Sequence, residues 1–376
     1  MSHVTTARIE DHFEQLSDPR RREGTYPLVN VVVMALCAVV SGADDFVAIA
    51  RWASTKRDWL AKFLDMSEGI PSHDRFNAII GSLRPAEFEK CLLSWITALH
   101  EITDGQVVAI DGKTLRRSFD AASSKAPIHM VSAWATANHI SLGQVVTDAK
   151  SNEITAIPKL LEMLEIKGCL VTIDAMGCQR EIAQKIIDAG ADYVLAVKDN
   201  QPKLHAAIRD FFTEHLEDDC KSIACRRHET HEKGHGRQDD RYYYLAKLPD
   251  DFPLKEKWPG LGAIGMTCRI TEYADGKTSD ETRYYIVSRY TSGKKFSAAV
   301  RGHWGIENSL HWQLDVTFGE DQCRVRKDHA DTNLSLLRRT SLSLLKNNQT
   351  QKVGVKNKRL CAAWDDDYRL EVLCGK

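Results

Sequence analysis

No run of this chain is apolar for the roughly 20 residues that a bilayer span requires. The longest, Leu28 to Val40, is interrupted by Asn30. It begins too late for a secretory leader and follows a mixed-charge segment holding Glu10, Asp11, Glu14, Asp18 and Glu23, so it reads as a core helix of a cytoplasmic protein. Charge of one sign is lacking too. With 51 Lys and Arg against 52 Asp and Glu, the net charge is -1, which excludes a global positive field. Contact with nucleic acid must then use local patches: Arg20 to Arg22, Lys113 with Arg116 and Arg117, Arg226 and Arg227, Arg324 to Lys327, or Lys352 to Arg359. Ten cysteines occur without a CxxC pair or a disulfide framework, as fits a reducing compartment and buried free thiols. Internal repeats and low-complexity segments are absent. What remains is a chain of 376 residues with 43% hydrophobic content, enough to bury the cores of two or three globular domains.

The texture changes along the chain. From Arg8 to His100 the apolar spacing predicts helices over Leu28 to Val40, Phe46 to Leu64, Ser72 to Leu83 and Pro85 to Leu99, separated by turns at Ser41-Gly42, Gly69-Ile70-Pro71 and Arg84-Pro85. Ser72 is placed to cap the third, with Arg75 and Asn77 on its exposed side. Such a helical domain is compatible with a helix-turn-helix DNA reader and equally with a plain helical module. After Gly105, strand-like runs follow at Val107 to Ile110, Ile128 to Thr136 and Leu142 to Thr147. A helix at Ile154 to Leu164, a strand at Leu170 to Ile173, a helix at Glu181 to Ala189 and a strand at Tyr193 to Val197 come next. The early strands should be antiparallel and the later strand, helix, strand order a parallel crossover, giving a mixed α/β sheet with helices packed on it. A helix at Pro202 to Phe212 leads into a β-rich region with strands at Arg241 to Leu245, Ala263 to Ile270 and Arg283 to Val287. Helical pattern resumes at Phe296 and recurs from Asp331 to Leu345, before a polar, basic tail.

Three acids stand against apolar neighbours. Asp111 and Asp174 each directly follow a strand-like apolar run, and ligands collect at the carboxyl ends of strands in open α/β sheets. Glu307 lies in RGHWGIENSLHWQLDV. At about 100° per residue, Val300, Trp304, Leu310 and Leu314 fall on its side, with His303 and His311 beside them, so helical phase puts Glu307 on the core-facing stripe. A buried carboxylate must be neutralised, paired or bound to metal. If the two aspartates share one sheet edge and Glu307 reaches it, the three would repel unless divalent cations lay among them. Two hard cations about 3.5 to 4 Å apart are the usual device for in-line phosphoryl displacement, and Mg2+ suits oxygen ligands. Each acid alone has a structural alternative: Asp174 as a helix cap, Asp111 as a turn residue before Gly112, and Glu307 as a partner of Arg301 or a neighbouring histidine.

The ordered motifs IDGK at Asp111, KSNEITAIPKLLEML at Lys150 to Leu164, TIDAMGCQ at Asp174, VKDNQPKL at Lys198, KGHGR at Lys233 and RGHWGIENSLHWQLDV at Glu307 closely resemble the H-repeat-associated proteins. Those are D-D-E transposases of bacterial insertion sequences, and the resemblance runs from about Asp11 to Cys374. It implies an α/β fold with a ribonuclease-H-like mixed sheet and a β-rich insertion, preceded by an all-helical N-terminal domain. The expected division is a helical, DNA-binding domain over 1–102, a catalytic domain over 103–345 with the insertion at about 218–292, and a basic tail over 346–376. It further implies Asp111, Asp174 and Glu307 as catalytic and metal-binding residues, holding two Mg2+ ions with Mn2+ as a substitute. The implied reaction is nicking at insertion-sequence ends followed by attack of the freed 3′-hydroxyl on target DNA. The implied partners are DNA with terminal inverted repeats, target DNA and a second copy of the chain as a homodimer on DNA, in the bacterial cytoplasm and on the nucleoid when bound. The tyrosine, arginine, glutamate, lysine signature of related transposases is not matched: Val300, His303 and Leu314 occupy the other three spacings.

By position, Lys113, Arg116, Arg117, Lys198, Asn200, Gln201, His235, Arg237 and Arg241 are candidate DNA contacts. Two other readings stay open. One is a transposase that has lost activity and binds DNA only. The other is a zinc-dependent hydrolase using His303, Glu307 and His311 at four-residue spacing, or His228, His231 and His235, although the HExxH order is absent.

Overall fold

The computed structural model describes residues 8–20, 24–100, 106–114, 129–147, 153–234 and 236–375. Arg21, Arg22, Arg116, Arg117 and His235 lie outside them. In chain order the N-terminal helices are α1 (Ile9–Phe13), α2 (Leu28–Val40), α3 (Phe46–Thr55), α4 (Arg57–Leu60), α5 (His73–Ser82) and α6 (Pro85–Leu99). Next come β1 (Val107–Thr114), β2 (His129–Ala135), β3 (Ile140–Thr147), α7 (Glu153–Met163), β4 (Leu170–Ile173), α8 (Arg180–Asp188), β5 (Asp192–Val197) and α9 (Pro202–His215). Four long strands follow, β6 (Cys225–Gly234), β7 (Arg237–Lys247), β8 (Ala263–Tyr273) and β9 (Thr278–Val287). The chain ends in α10 (Gly293–Ile306), a π-helical turn (Glu307–His311), α11 (Trp312–Val316), α12 (Ala330–Asn347), α13 (Val355–Trp364) and α14 (Asp366–Leu373). Among the described residues, no helix is long and apolar enough to cross a membrane.

The chain forms two compact units that interleave along the sequence. One holds Met1–Thr103, Gly112–Lys150 and Glu307–Lys376, and the other holds Asp104–Asp111 and Ser151–Ile306. The division expected from sequence runs linearly, whereas here the C-terminal helices join the N-terminal ones in a single unit.

In the first unit α12 is the hub. Every residue from Ala330 to Leu345 is buried, and the helix packs on α2, α5, α6, α13 and β3. Its polar residues serve that burial: Asn333 donates from Nδ2 to the carbonyls of Ile80 (2.7 Å) and Leu83 (3.0 Å), which closes the end of α5. Ser72 caps the start of α5 by accepting the Arg75 N–H at 3.3 Å. The helix expected over Phe46 to Leu64 is broken into α3 and α4. α2 ends without a basic residue in its last turn, and its Val39 carbonyl accepts from Arg359 Nε (3.2 Å) and Nη2 (2.9 Å). Lys358 Nζ likewise donates to the carbonyls of Leu345 (3.0 Å) and Asn348 (2.5 Å) beyond α12. Lys358, Arg359 and Arg369 are buried, so the expected basic tail is in these residues a pair of packed helices whose cations close other helices.

Glu89 of α6 is a second polar device of this unit. Its Oε1 accepts the backbone N–H of Gln144 in β3 at 2.7 Å. Burial pushes its carboxyl up to about 8 from an ordinary 4.5, against the opposing pull of that N–H and of Arg339. With the folded value above the unfolded one, the contribution of Glu89 is fullest below pH 4.5 and is lost as pH rises through about 8. Glu89→Gln should therefore remove about 1–3 kcal/mol of the stability lost between about pH 5 and 9, less than the full shift because some solvent reaches the side chain. Urea midpoints across that range check this; parallel curves for the two proteins would refute it.

In the second unit the strand order is β1-β4-β5-β9-β8-β7-β6, while β2 and β3 pair antiparallel in the first. β4 and β5 are parallel, as expected of the crossover, β1 pairs parallel with β4, and every later pairing is antiparallel. The β-rich region thus extends the sheet, because β9 pairs with β5 from Val194↔Val287 to Val197↔Tyr284. α10 covers one face, burying Phe296, Ala299 and Val300 against Val194, Tyr243, Leu245, Ala263, Tyr285 and Val287. Phe296 lies over Gly265, where a Cβ would fall 2.5 Å from its ring, so glycine is what lets this helix approach.

Candidate active site

β1 and β4 are neighbours in parallel register, Val107↔Leu170 through Ile110↔Ile173. The next residues are Asp111, which lies within β1, and Asp174, which directly follows β4, so the two acids stand at the same level of adjacent strands. Both are partly exposed. β1 and β4 are here because Val108, Ala109, Ile110, Val171 and Ile173 are all buried, as expected of strands covered on both faces.

The loop after β4 holds Asp174 firmly. Its Oδ1 accepts the N–H groups of Met176 (3.0 Å) and Gly177 (3.3 Å), an Asx-type turn. The cap of α8 is Gln179, so Asp174 does not act as the helix cap. A Cβ on Gly177 would lie 2.3 Å from Ile173 Cγ2 and 3.0 Å from Ile157 Cδ1, so the turn packs directly on the strand and on α7. Asn200 donates from Nδ2 to the Ala175 carbonyl at 2.6 Å, and Gln201 from Nε2 to the Cys178 carbonyl at 3.0 Å. These two amides, named above as candidate DNA contacts, are engaged in bracing the turn that carries Asp174.

Burial pushes the Asp174 carboxyl up; Gly177 N–H pulls it down, Glu153 and Asp111 push it further up, and His303 opposes them. Glu153, in the first turn of α7, had no signal as a site residue beyond its place in the KSNEITAIPK motif. Asp174, Lys198, His205, Arg283, His303 and Trp304 border a cavity of about 140 Å³, in which the Arg283 guanidinium lies 4.4 Å from the Trp304 ring. The donor set at this level of β1 and β4 is carboxylate oxygen in a half-buried place where like charges crowd, which fits a hard divalent cation.

Glu307 opens the π-helical turn of the first unit and is exposed. The expectation that it lies on the core-facing stripe is corrected here. Val300, Leu310 and Leu314 are buried as that phase predicts, but the wider π turn shifts the helical phase between Ile306 and Trp312 and leaves the carboxylate outside the core. Arg301 does not pair with it either; its Nη2 lies 2.8 Å from Glu232. Among the described residues no three His, Cys, Asp or Glu side chains are grouped to hold a metal ion as they stand, and His231 is bonded to Asp240 at 2.8 Å.

The other candidates fall in three places. Lys198 is exposed after β5. Arg237, Arg241 and Arg269 surround the buried Asp239 at 3.2, 3.0 and 3.3 Å, Thr271 donates to it at 2.6 Å, and Arg241 also meets Glu232 at 2.9 Å. Burial pushes Asp239 up, but Thr271 and the three arginines outweigh it and hold the carboxyl below the usual range. Three guanidiniums on one carboxylate leave positive charge unspent. Lys113 is different: it is buried, bonded to Glu320 at 2.8 Å and to Asp315. Its ammonium is spent on two carboxylates, so it is not offered to a phosphate. In the first unit, the basic run Arg324 to Lys327 borders a groove of about 960 Å³ with Phe46, His73 and Asn77.

Residues 10–96 match the family described as DDE_Tnp_1-associated, and residues 102–344 match the transposase DDE domain. The chain is 40% identical over 369 residues to the "Putative transposase YncI" of Escherichia coli O157:H7, which spans 97% of this chain and 94% of that relative. It is 37% identical over 376 residues to the "H repeat-associated putative transposase YhhI" of Escherichia coli strain K12, covering 98% of each. Among solved structures, a piggyBac transposase synaptic complex with hairpin DNA aligns over 94% of this chain and 74% of that one, at 11% identity and a TM-score of 0.41. With two acids at one level of adjacent strands, one family spanning the region that carries them and relatives matched over nearly their whole length, this chain belongs to the DDE transposases, among the H-repeat-associated transposases.

Proposed function

We propose that this protein is a DNA transposase that cuts insertion-sequence ends and joins them to target DNA by metal-dependent phosphoryl transfer. The observation that carries the reading is the parallel register that brings Asp111 and Asp174 to the same level of neighbouring strands. The parallel order β1-β4-β5 with a helix between β4 and β5 supports a ribonuclease-H-like catalytic sheet with β6 to β9 as its β-rich extension. Asp111, Asp174 and Glu307 would hold the cations through carboxylate oxygens, and the Asx turn at Asp174 commits Oδ1 to the backbone so that the carboxylate cannot swing away. When bound, two Mg2+ ions, or Mn2+ in their place, supply activation of water or a 3′-hydroxyl and stabilisation of the leaving oxygen. Glu307 on a π turn is placed outside the core, where a carboxylate can move toward its ligand at small cost.

The DNA would be gripped by Lys198 and by Arg237 of the three-arginine cluster, with Arg116, Arg117 and His235 as further proposed contacts, while Arg241 is held by Asp239 and Glu232. The helical residues over 1–102 are proposed to bind the ends, and a homodimer to pair them, on nucleoid DNA in the bacterial cytoplasm. Purified protein given Mg2+ or Mn2+ and DNA carrying the gene's own flanks should nick at inverted-repeat termini and leave 3′-hydroxyls that join to target DNA. Tight binding of those ends with no nick in either metal would overturn the catalytic reading.

A further inference from the structure

Lys113 is two residues past Asp111 on β1, and its two partners follow Glu307 in the chain: Asp315 in α11 and Glu320 beyond it. We propose that Lys113, Asp315 and Glu320 form a buried clamp that ties the end of β1 just past Asp111 to the segment that follows Glu307. The inference rests on the reading that these acids act together on metal, and it makes Lys113 a positioning residue.

The geometry is that of a closed ionic lock. Lys113 and Glu320 are buried, and the ammonium reaches both carboxylates. The second oxygen of Glu320, Oε1, accepts from Ser335 Oγ of α12 at 2.7 Å, and that hydroxyl in turn lies 3.3 Å from Arg339 Nε. Both Glu320 oxygens are thereby committed, one to β1 and one to the hub helix. Glu320 cannot follow Lys113 unless α12 moves too. Ion pairs of this kind contribute little net stability over an apolar replacement, but they tolerate few alternative arrangements, which is the property a register-setting contact needs. One residue, Gly112, separates Lys113 from Asp111, so a change in the register of β1 at the clamp is carried directly to the acid.

The test compares Asp315→Asn and Lys113→Met with the parent full-length chain, using Mn2+ affinity measured by electron paramagnetic resonance without DNA, end-DNA affinity, and cleavage. Asp315→Asn keeps the hydrogen-bonding shape and part of its exposure, so it should fold and bind end DNA as the parent does. Its Mn2+ affinity should fall about tenfold, and cleavage at saturating DNA should fall with it and recover in part at high Mn2+. A folded Asp315→Asn protein with parental Mn2+ affinity and cleavage would overturn the inference, whatever becomes of Lys113→Met. Asp174→Ala, run beside it, separates the two readings. If Asp174→Ala still binds Mn2+ and cuts, the metal site itself is misassigned; if only Asp174→Ala is impaired, the clamp alone fails.

Discussion

Asp174→Ala is expected to lower strand cleavage by on the order of 10³-fold or more while affinity for end DNA stays within a few-fold of the parent. The size follows from what one carboxylate does at a metal-dependent phosphoryl transfer, where several kcal/mol of charge stabilisation depends on the cation being held in place. The selectivity follows from the site. Asp174 stands at a strand end among Glu153, Asp111 and His303, and its Oδ1 is engaged with its own loop. Removing a carboxylate that burial and two like charges already disfavour should leave the fold intact, and thermal stability should hold or rise slightly. Gel-shift and nicking assays on one preparation check both halves. Cutting at the parental rate would remove Asp174 from the reaction.

Arg359→Ala should cost about 3–5 kcal/mol of stability in the first unit, far more than a surface cation's loss. Its guanidinium closes the carboxyl end of α2 at Val39, meets Asp44 at 2.9 Å and lies 4.1 Å from the Phe318 ring. Alanine would strand a carbonyl and open a cavity beside Phe318. Denaturant unfolding is the measurement, with Lys352→Ala as an exposed control from the same basic run. If the two variants were equally stable and both merely weakened DNA binding, Arg359 would be a DNA contact as its run suggests.

Much of this was legible in the sequence. The apolar runs before Asp111 and Asp174 predicted two covered strands, and the crossover helix between β4 and β5 predicted their parallel sense. Those patterns are local and strongly periodic. β6 escaped because CRRHETHEKG lies at the sheet edge, where polar residues face solvent and no apolar alternation is needed. The fate of the cations was illegible for a different reason. Lys113 and Arg359 read as patches in one dimension and Arg369 as part of a basic tail, and only tertiary contacts with Glu320, Val39 and Ala362 reveal them as buried. Glu307 was located by its motif, but its orientation depended on a π turn that a uniform 100° step cannot foresee. Asn200 and Gln201 are exposed by composition, yet they serve the turn of Asp174 through backbone carbonyls that carry no side-chain signal.

Asp111, Asp174 and Glu307 are proposed to hold the same divalent cations. Substituting Fe2+ with ascorbate and peroxide, and mapping where the polypeptide is cut, tests that convergence without relying on DNA cleavage. Cuts clustered around all three acids, each suppressed by excess Mg2+, are the predicted result. Cuts near Asp111 and Asp174 with none near Glu307 would contradict it.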